Sequence, residues 1–129
     1  MTGADLEAIR LFAELPAEQR EQLAGVCSEI EVEAGSTLVQ EGDFGYVMFA
    51  ILEGDADVNR QGELVNRLGP GDVFGERAIL LGGRRHATVV AKTPMRLITV
   101  MNRDVWRLER EHPNVAESLR NIIAGVLPA

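Results

Sequence analysis

Cysteine is almost absent from this chain of 129 residues, since Cys27 is the only one. A single thiol cannot form an intrachain disulfide, and it cannot supply a cysteine-based zinc site or an iron–sulfur cluster by itself. We therefore interpret Cys27 as a small buried core residue. Aromatic residues are also scarce, at 5% of the chain, so the core must be built mainly from Leu, Val, Ile and Ala.

Long hydrophobic runs are missing as well. No apolar segment approaches the roughly 20 residues that a membrane-spanning helix requires. The first residues, Met1 to Asp5, also lack the basic stretch followed by an apolar run that marks a secretory signal peptide. The sequence therefore predicts a soluble, cytoplasmic chain without a membrane span.

The chain also lacks a surplus of basic residues, since its formal net charge is -7 at pH 7. A protein that neutralises the phosphates of DNA or RNA needs a basic face, so we expect no nucleic acid partner. Carboxylates are dense before residue 64, whereas Arg77, Arg84 and Arg85 fall close together later. This local cluster is one place where an otherwise acidic protein can hold a small anion.

Histidine is limited to His86 and His112, and no His-x-His pair occurs. A metal-dependent cupin enzyme, the competing β-roll class, needs several His and carboxylate ligands that converge from its strands. No Ser/His/Asp or Cys/His arrangement for a nucleophile stands out either. We therefore predict no catalytic residues and no metal site, with a cupin enzyme as a distant alternative.

The period of the hydrophobic pattern changes twice along the chain. Residues 5–28 follow a helical pattern, in which Leu6, Ile9 and Phe12 share one face and Pro16 occupies the first turn of a second helix. Short apolar runs with glycine-rich turns follow, which predicts an antiparallel sandwich, jelly roll or barrel. The predicted strands are 30–33, 37–40, 46–52, 56–59, 64–68, 88–90 and 97–101.

Helical spacing returns after residue 101. Asn102 is a favourable N-cap for the next helix, and Pro113 is predicted to end that helix. Asn114 with Glu117 resembles a capping box that opens the last helix. The pattern predicts one mainly β domain over residues 1–129 with flanking helices. Its parts are N-terminal helices at 1–28, a β-roll at 29–101 and two C-terminal helices at 102–129.

One segment inside the roll, residues 74–89, breaks the strand rhythm. Gly75 precedes a short helical run over 76–81, and glycine lets backbone amides approach a ligand closely. The first turn of a helix leaves amide donors unsatisfied, which suits a phosphate. Arg85 can close over the same anion with a forked, charge-assisted bond. Glu76 would repel that anion, so it either accepts a hydrogen bond from a ribose hydroxyl or forms a structural ion pair with Arg85.

This segment resembles the phosphate-binding cassette of the cyclic-nucleotide-binding domain family, which includes sensor domains of the catabolite activator, protein kinase A regulatory subunit and cyclic-nucleotide-gated channel types. The matching residues are Phe74-Gly75-Glu76-x-Ala78-x-Leu80 and Arg85-x-Ala87-Thr88-Val89. The family pattern is also matched by Glu41-Gly42-Asp43, by Ile51-Leu52-Glu53-Gly54, by 68–76, and by Asp104, Leu108, Pro113 and Ala116. The resemblance covers nearly the whole chain.

The resemblance implies a specific ligand set. Glu76 would take the ribose 2′-hydroxyl, and Arg85 would pair with the exocyclic phosphate oxygen. Gly75 and the amides near Arg77 and Ala78 would line the phosphate, while Arg84 is expected to be a solvated neighbour. The expected ligand-binding residues are Phe74, Gly75, Glu76, Arg77, Ala78, Arg85, His86 and Ala87.

Position 86 bears on the choice of nucleotide, because in this family a hydroxyl residue there is often associated with cGMP. His86 therefore favours cAMP over cGMP as the ligand, and we expect no cofactor beyond it. The family's last helix closes over the base, which makes residues of the last helix possible lid residues. These are Leu119, Ile122 and Ile123.

The resemblance thus implies a non-enzymatic sensor domain that binds cAMP and signals through movement of its C-terminal helix. The output would reach an effector protein, a self-associated form or a region outside this chain. Since the chain stops at Ala129, before the helix-turn-helix that the family's transcription regulators carry, we expect no DNA binding. The alternative is a degenerate domain of the same fold that senses another ligand or acts in protein–protein assembly.

Overall fold

The computed structural model describes residues 1–126 as helices and short strands. The helices are α1 (Gly3–Glu7), α2 (Arg10–Ala13), α3 (Ala17–Ala24), α4 (Arg77–Leu80), α5 (Asn102–Glu111) and α6 (Pro113–Val126). The strands are β1 (Ser28–Val32), β2 (Thr37–Val39), β3 (Val47–Glu53), β4 (Ala56–Arg60), β5 (Glu63–Leu68), β6 (Val73–Phe74), β7 (Thr88–Ala91) and β8 (Met95–Met101). Among these helices, none combines the length and the apolar character needed to cross a membrane.

The strands form two antiparallel four-stranded sheets, which confirms the predicted β-roll with flanking helices. One sheet has the order β1-β8-β3-β6 and is called here the helix-side sheet. The other has the order β2-β7-β4-β5 and is called the pocket sheet. The seven predicted strands are present with small shifts at their ends. Strand β6 was missed because its two residues are too few to show a period, and only pairing with Phe49 and Ala50 defines it.

Side chains of β3 alternate between two apolar clusters, as the period of a strand requires. Met48 and Ala50 face the helical core, which also contains buried side chains of α1, α2, α3, α5 and α6. Phe49 and Ile51 face the opposite direction, into the core between the two sheets. There the Phe49 ring stacks on Phe74, with 4.9 Å between ring centroids. The central strand of the helix-side sheet therefore joins the two cores.

The N-terminal region differs in detail from the predicted pair of helices over 5–28. It contains three short helices between residues 3 and 24, because Ile9 adopts an extended backbone that separates α1 from α2. Leu6, Ile9 and Phe12 are completely buried, as their shared face predicted. Pro16 is extended and caps α3 from outside instead of lying in its first turn. A proline has no backbone N–H to donate, but neither an N-cap residue nor a first-turn residue donates a helical hydrogen bond. The missing group therefore costs nothing at either position.

The C-terminal helices α5 and α6 begin one and two residues earlier, respectively, than their predicted caps imply. Met101 is the N-cap of α5, and its amide donates to the Asp104 carboxylate at 2.8 Å. Pro113 does not end α5 but opens α6, a position where its missing N–H is harmless. Asn114 is therefore inside α6 and is not its cap. The predicted helical region 102–129 extends past the described residues, and positions 127–129 lie outside them.

Cys27 lies half-buried against the helical core, less enclosed than the sequence predicted. Burial raises the pKa of its thiol to about 12, and the negative charge of Asp104 acts in the same direction. A thiol with such a pKa carries almost no thiolate near neutral pH, so it packs as a small apolar group.

Candidate functional site

A pocket of about 270 Å³ lies between the pocket sheet and the segment that carries α4. All eight binding residues expected from the sequence line it, and they come from β6, the turn after β6, α4 and the loop before β7. They are Phe74, Gly75, Glu76, Arg77, Ala78, Arg85, His86 and Ala87. The remaining lining consists of five aliphatic side chains, three glycines, Asn66 and Arg84. The pocket thus combines one polar wall with one apolar wall.

The apolar wall is a row of side chains that crosses the pocket sheet from edge to edge. Val39 on β2 pairs with Val89 on β7, and Val89 pairs with Val58 on β4. Val58 in turn pairs with Asn66 on β5. Because paired residues of adjacent strands point to the same face, these four side chains form one continuous floor. Such a floor suits the flat, weakly polar surface of a base or sugar.

Arg85 supplies the positive charge of the polar wall. Its Nη2 donates to the Val47 carbonyl at 2.7 Å, and its Nη1 donates to the Gly75 carbonyl at 3.4 Å. The backbone is fixed as well, since the Arg85 amide donates to the Asp43 carbonyl and the Gly42 amide donates to the Arg85 carbonyl. The Glu41-Gly42-Asp43 turn therefore holds the arginine at the rim of the pocket.

The guanidinium of Arg85 has no carboxylate within 4.0 Å among residues 1–126. Partial burial lowers the pKa of Arg85 from its ordinary value, and the nearby charge of Glu76 opposes that shift. The structural ion pair with Glu76, kept as an alternative above, is therefore not formed. A partly desolvated cation of this kind gains from an anion that can reach it.

Two glycines make room for this arginine. A Cβ at Gly45 would lie 2.5 Å from Nε of Arg85, and one at Gly75 would lie 2.6 Å from Nη1. Gly75 also has a φ of +77°, a region that side chains disfavour. Any larger residue at either position would displace the guanidinium. Gly45 and Gly75 therefore set the position of the charge in the pocket.

Glu76 directly precedes α4 and is half-buried at the edge of the pocket. The amide of Ala78 donates to the Gly75 carbonyl and that of Ile79 to the Glu76 carbonyl, each at 3.1 Å. The Ala78 amide, an expected donor to phosphate, thus already has a partner within the cassette. Arg77 is exposed.

Arg84 and His86 flank Arg85 but occupy different surroundings. Arg84 is exposed, donates to the Gly42 carbonyl at 2.8 Å and stacks over the Phe44 ring at 4.4 Å from its centroid. The His86 side chain is also exposed, while its carbonyl accepts a hydrogen bond from Nε of Arg60 at 3.1 Å. Arg84, Arg85 and His86 all line the pocket, but only Arg85 is half-buried there.

We compared the chain with models of known protein families. The family model described as the cyclic nucleotide-binding domain matches residues 29–112, which contain the complete pocket lining. The chain belongs to the cyclic nucleotide-binding domain family. The resemblance seen in the cassette is thereby confirmed across both sheets.

Individual relatives agree with this membership. A cAMP-dependent protein kinase regulatory subunit of Schizosaccharomyces pombe is 36% identical over 95 residues, which are 73% of this chain and 23% of that protein. The cGMP-dependent protein kinase egl-4 of Caenorhabditis elegans is also 36% identical over 95 residues, 74% of this chain and 12% of that protein. The chain therefore spans about a quarter or less of the length of these relatives.

Solved structures show the same fold over almost the whole chain. The N-terminal domain of a transcriptional regulator from Streptomyces coelicolor A3(2) superimposes with a TM-score of 0.83 at 29% identity. The match covers 94% of this chain and 90% of that one. The helices outside residues 29–112 are therefore part of a shared architecture.

The possible lid residues of this cyclic nucleotide-binding domain lie away from the pocket. Leu119 and Ile123 are completely buried in the helical core, and Ile122 is half-buried against that same core. None of the three lines the pocket. The structure thus brings the cassette residues together and separates them from α6, so closure of a lid over the base stays a prediction.

Sequence reasoning missed several residues of the domain that line the pocket or hold Arg85. Gly45 and Val47 contact Arg85 across a long sequence separation, and no local pattern marks them. Asn66 lies in a strand whose alternation is weak, because β5 is an exposed edge strand. The pairing of β5 with β4 would have been the signal, and a single sequence does not show it.

Proposed function

We propose that this chain is a regulatory sensor domain that binds cAMP at least as well as cGMP in the pocket described above. The observation that carries the proposal is Arg85, a half-buried cation that two carbonyls hold in place. Within residues 1–126, no carboxylate lies within 4.0 Å of its guanidinium. A cyclic phosphate brings one negative charge of the size that a guanidinium can hold with two hydrogen bonds.

The pocket offers a role for each part of a cyclic nucleotide. In the proposed complex, Arg85 pairs with the exocyclic phosphate oxygen and the Glu76 carboxylate accepts a hydrogen bond from the ribose 2′-hydroxyl. The base lies on the floor formed by Val39, Val89 and Val58. This arrangement places the anion at the polar wall and the apolar ring on the apolar wall.

The preference for cAMP rests on position 86. His86 has no hydroxyl, and its side chain is exposed at the rim of the pocket. The two relatives described above are a cAMP-dependent and a cGMP-dependent protein, equally similar to this chain, so their names favour neither nucleotide. We therefore expect cGMP to bind no more tightly than cAMP.

Signalling is proposed to pass from the cassette to α6 through α4. Ile79 and Leu80 of α4 pack against the helical core that also contains Leu119 and Ile123. A nucleotide that repositions the cassette would change this packing and bias the position of α6. The shift is set by the difference in affinity between the two arrangements. An effector protein, or a second copy of the chain, would respond to that change.

Calorimetric titration of the intact chain with cAMP and with cGMP tests the proposal. We expect measurable heat with cAMP and an affinity for cGMP that is equal or lower. Absence of heat together with an unchanged melting temperature at millimolar nucleotide would overturn it. That result would favour the degenerate domain that senses another ligand or acts in assembly.

A further inference from the structure

The pocket carries more positive charge than one cyclic phosphate needs. Arg77, Arg84 and Arg85 all line it, and within residues 1–126 Glu76 is the only carboxylate in the lining. With His86 neutral, these groups give the lining a formal charge of +2, on a chain whose net charge is -7. The proposed complex places the single charge of a cyclic phosphate at Arg85. The side chains of Arg77 and Arg84, which are exposed and define what is called here the mouth of the pocket, have no role in that complex.

Arginines outside the pocket are mostly paired with carboxylates. Within residues 1–126, none of the three pocket arginines has a carboxylate oxygen within 4.0 Å of a side-chain nitrogen. Acidic groups are not in short supply, because the chain has 20 of them against 13 basic residues. A cleft lined with one sign of charge attracts ligands of the opposite sign. Six of the nine other arginines do have such a partner, and they are Arg10, Arg67, Arg96, Arg103, Arg107 and Arg120.

The turn beside Arg84 contains two carboxylates, Glu41 and Asp43, but neither lines the pocket. The Glu41 carboxylate accepts a hydrogen bond from the Gln61 amide at 3.0 Å. Asp43 is exposed, and in the described part of the chain no basic nitrogen lies within 4.0 Å of its carboxylate. The positive charge at the mouth therefore stays available to a ligand.

Arg84 is held at the mouth of the pocket before a ligand arrives. Its Nη1 donates to the Gly42 carbonyl at 2.8 Å, and its guanidinium lies 4.4 Å from the centroid of the Phe44 ring. The backbone beside it is fixed too, because the Gly45 amide donates to the Gly83 carbonyl at 3.1 Å. A guanidinium carries several N–H donors, so the bond to Gly42 leaves others that can meet an anion.

Arg77 approaches the mouth from the start of α4. Its carbonyl accepts hydrogen bonds from the amides of Leu81 and Gly82, at 2.7 Å and 3.1 Å, so the chain turns back on itself at the end of this helix. Arg84 follows Gly82 by two residues, a span of at most about 7 Å. Because both arginines are exposed and line one pocket, their guanidiniums can reach one phosphate group at the mouth.

We propose that Arg77 and Arg84 form a second anion subsite, which binds a second phosphate of a nucleotide whose first phosphate lies at Arg85. The inference rests on the proposed function and extends its ligand class from nucleotides with one phosphate to nucleotides with two. Arginine suits such a group, because its planar fork forms charge-assisted hydrogen bonds with phosphate oxygens. The second phosphate has two possible sources: a linear nucleoside diphosphate, and a cyclic dinucleotide, in which a nucleoside separates the two phosphates.

Binding of cAMP, AMP, ADP and cyclic di-AMP to the intact chain and to the double variant Arg77→Gln/Arg84→Gln tests this assignment. We expect the double variant to weaken ADP or cyclic di-AMP about 5- to 30-fold, the scale of two exposed ion pairs. The loss for cAMP should be less than about 3-fold, because its one charge lies at Arg85. A loss for ADP but not AMP identifies the linear diphosphate, and a loss for cyclic di-AMP identifies the dinucleotide. Arg103→Gln/Arg110→Gln is the matched control, since it removes two exposed charges of α5 that do not line the pocket.

Rate constants separate a subsite from simple attraction of anions. A subsite requires faster dissociation of the second-phosphate ligand from the double variant, whereas slower association of every nucleotide would show only electrostatic attraction and would overturn the proposal. Equal weakening of all four nucleotides, or no weakening of ADP and cyclic di-AMP, would overturn it as well. If the intact chain binds cAMP but neither ADP nor cyclic di-AMP, the subsite is wrong and the proposed function stands. If it binds none of the four, both are wrong.

Discussion

The two sheets of this domain are covered differently. The helix-side sheet is covered by the helices, whose side chains Leu6, Phe12 and Leu108 are completely buried against it and against one another. Within residues 1–126, the pocket sheet has no helical cover of that kind, so Val58 and Leu68 stay only partly buried and Leu64 is 48% exposed. The comparison shows that one side of the roll stabilises the fold while the other keeps an apolar floor and a cation accessible to a ligand.

The largest expected effect concerns stability on the sealed side. Leu108→Ala removes a completely buried side chain and should lower the free energy of unfolding by about 2–5 kcal/mol. Leu64→Ala on β5 is the same chemical change on the open side, and it should alter stability by less than about 0.5 kcal/mol. Urea unfolding of both variants measures the difference. Similar losses would show that the open sheet is packed as tightly as the sealed one.

The next effect concerns affinity on the open side. Arg85→Ala should weaken cAMP by about 2–4 kcal/mol, because the phosphate would lose its one fully charged partner in a partly desolvated site. This corresponds to roughly 30- to 1,000-fold in the dissociation constant. Isothermal calorimetry, with thermal melting to verify folding, makes the measurement.

Arg84→Ala is the control for that experiment. Its side chain is exposed and interacts with the Gly42 carbonyl and the Phe44 ring, so the loss of cAMP affinity should be well under about 1 kcal/mol. If the two arginine variants lose the same affinity, Arg85 is not the specific phosphate ligand.

Glu76→Ala should have a smaller and more selective effect. We expect a loss of about 1–3 kcal/mol for cAMP and almost none for its 2′-deoxy analogue, because only the first has the hydroxyl that the carboxylate would accept. Competition binding with both nucleotides gives the two values. Equal losses would mean that Glu76 acts on the shape of the cassette and not on the ribose.

The smallest expected effect is a change in hydrogen exchange of α6, which would link the pocket to the helical core. Amide hydrogen exchange across residues 115–126 should slow when cAMP is added, if the cassette biases α6 through α4. The slowing should be greatest at the exposed residues 124–126, since Val115, Ala116, Leu119 and Ile123 are already buried. Unchanged exchange at saturating nucleotide would make α6 a fixed part of the helical core.

Local sequence patterns were sufficient for most of the roll and for the cassette. The cassette depends on residues close together in the chain, so Gly75, Glu76 and Arg85 could be assigned from spacing and family resemblance, and the structure places them around one pocket. Helix ends were less predictable. Asn114 has the composition of a cap, yet Pro113 already opens α6 because α5 stops at Glu111 and His112 breaks the helical backbone.

What the sequence by itself determined is therefore the class of fold, the family and the cassette, since each follows from short-range periodicity or contiguous motifs. Tertiary structure alone decided which backbone groups hold Arg85, because Val47 is 38 residues away from it along the chain. It also decided that Asn66 faces the pocket and that Leu119 does not. Those outcomes depend on strand register and on how helices pack against a sheet, and both are set by contacts between residues far apart in sequence.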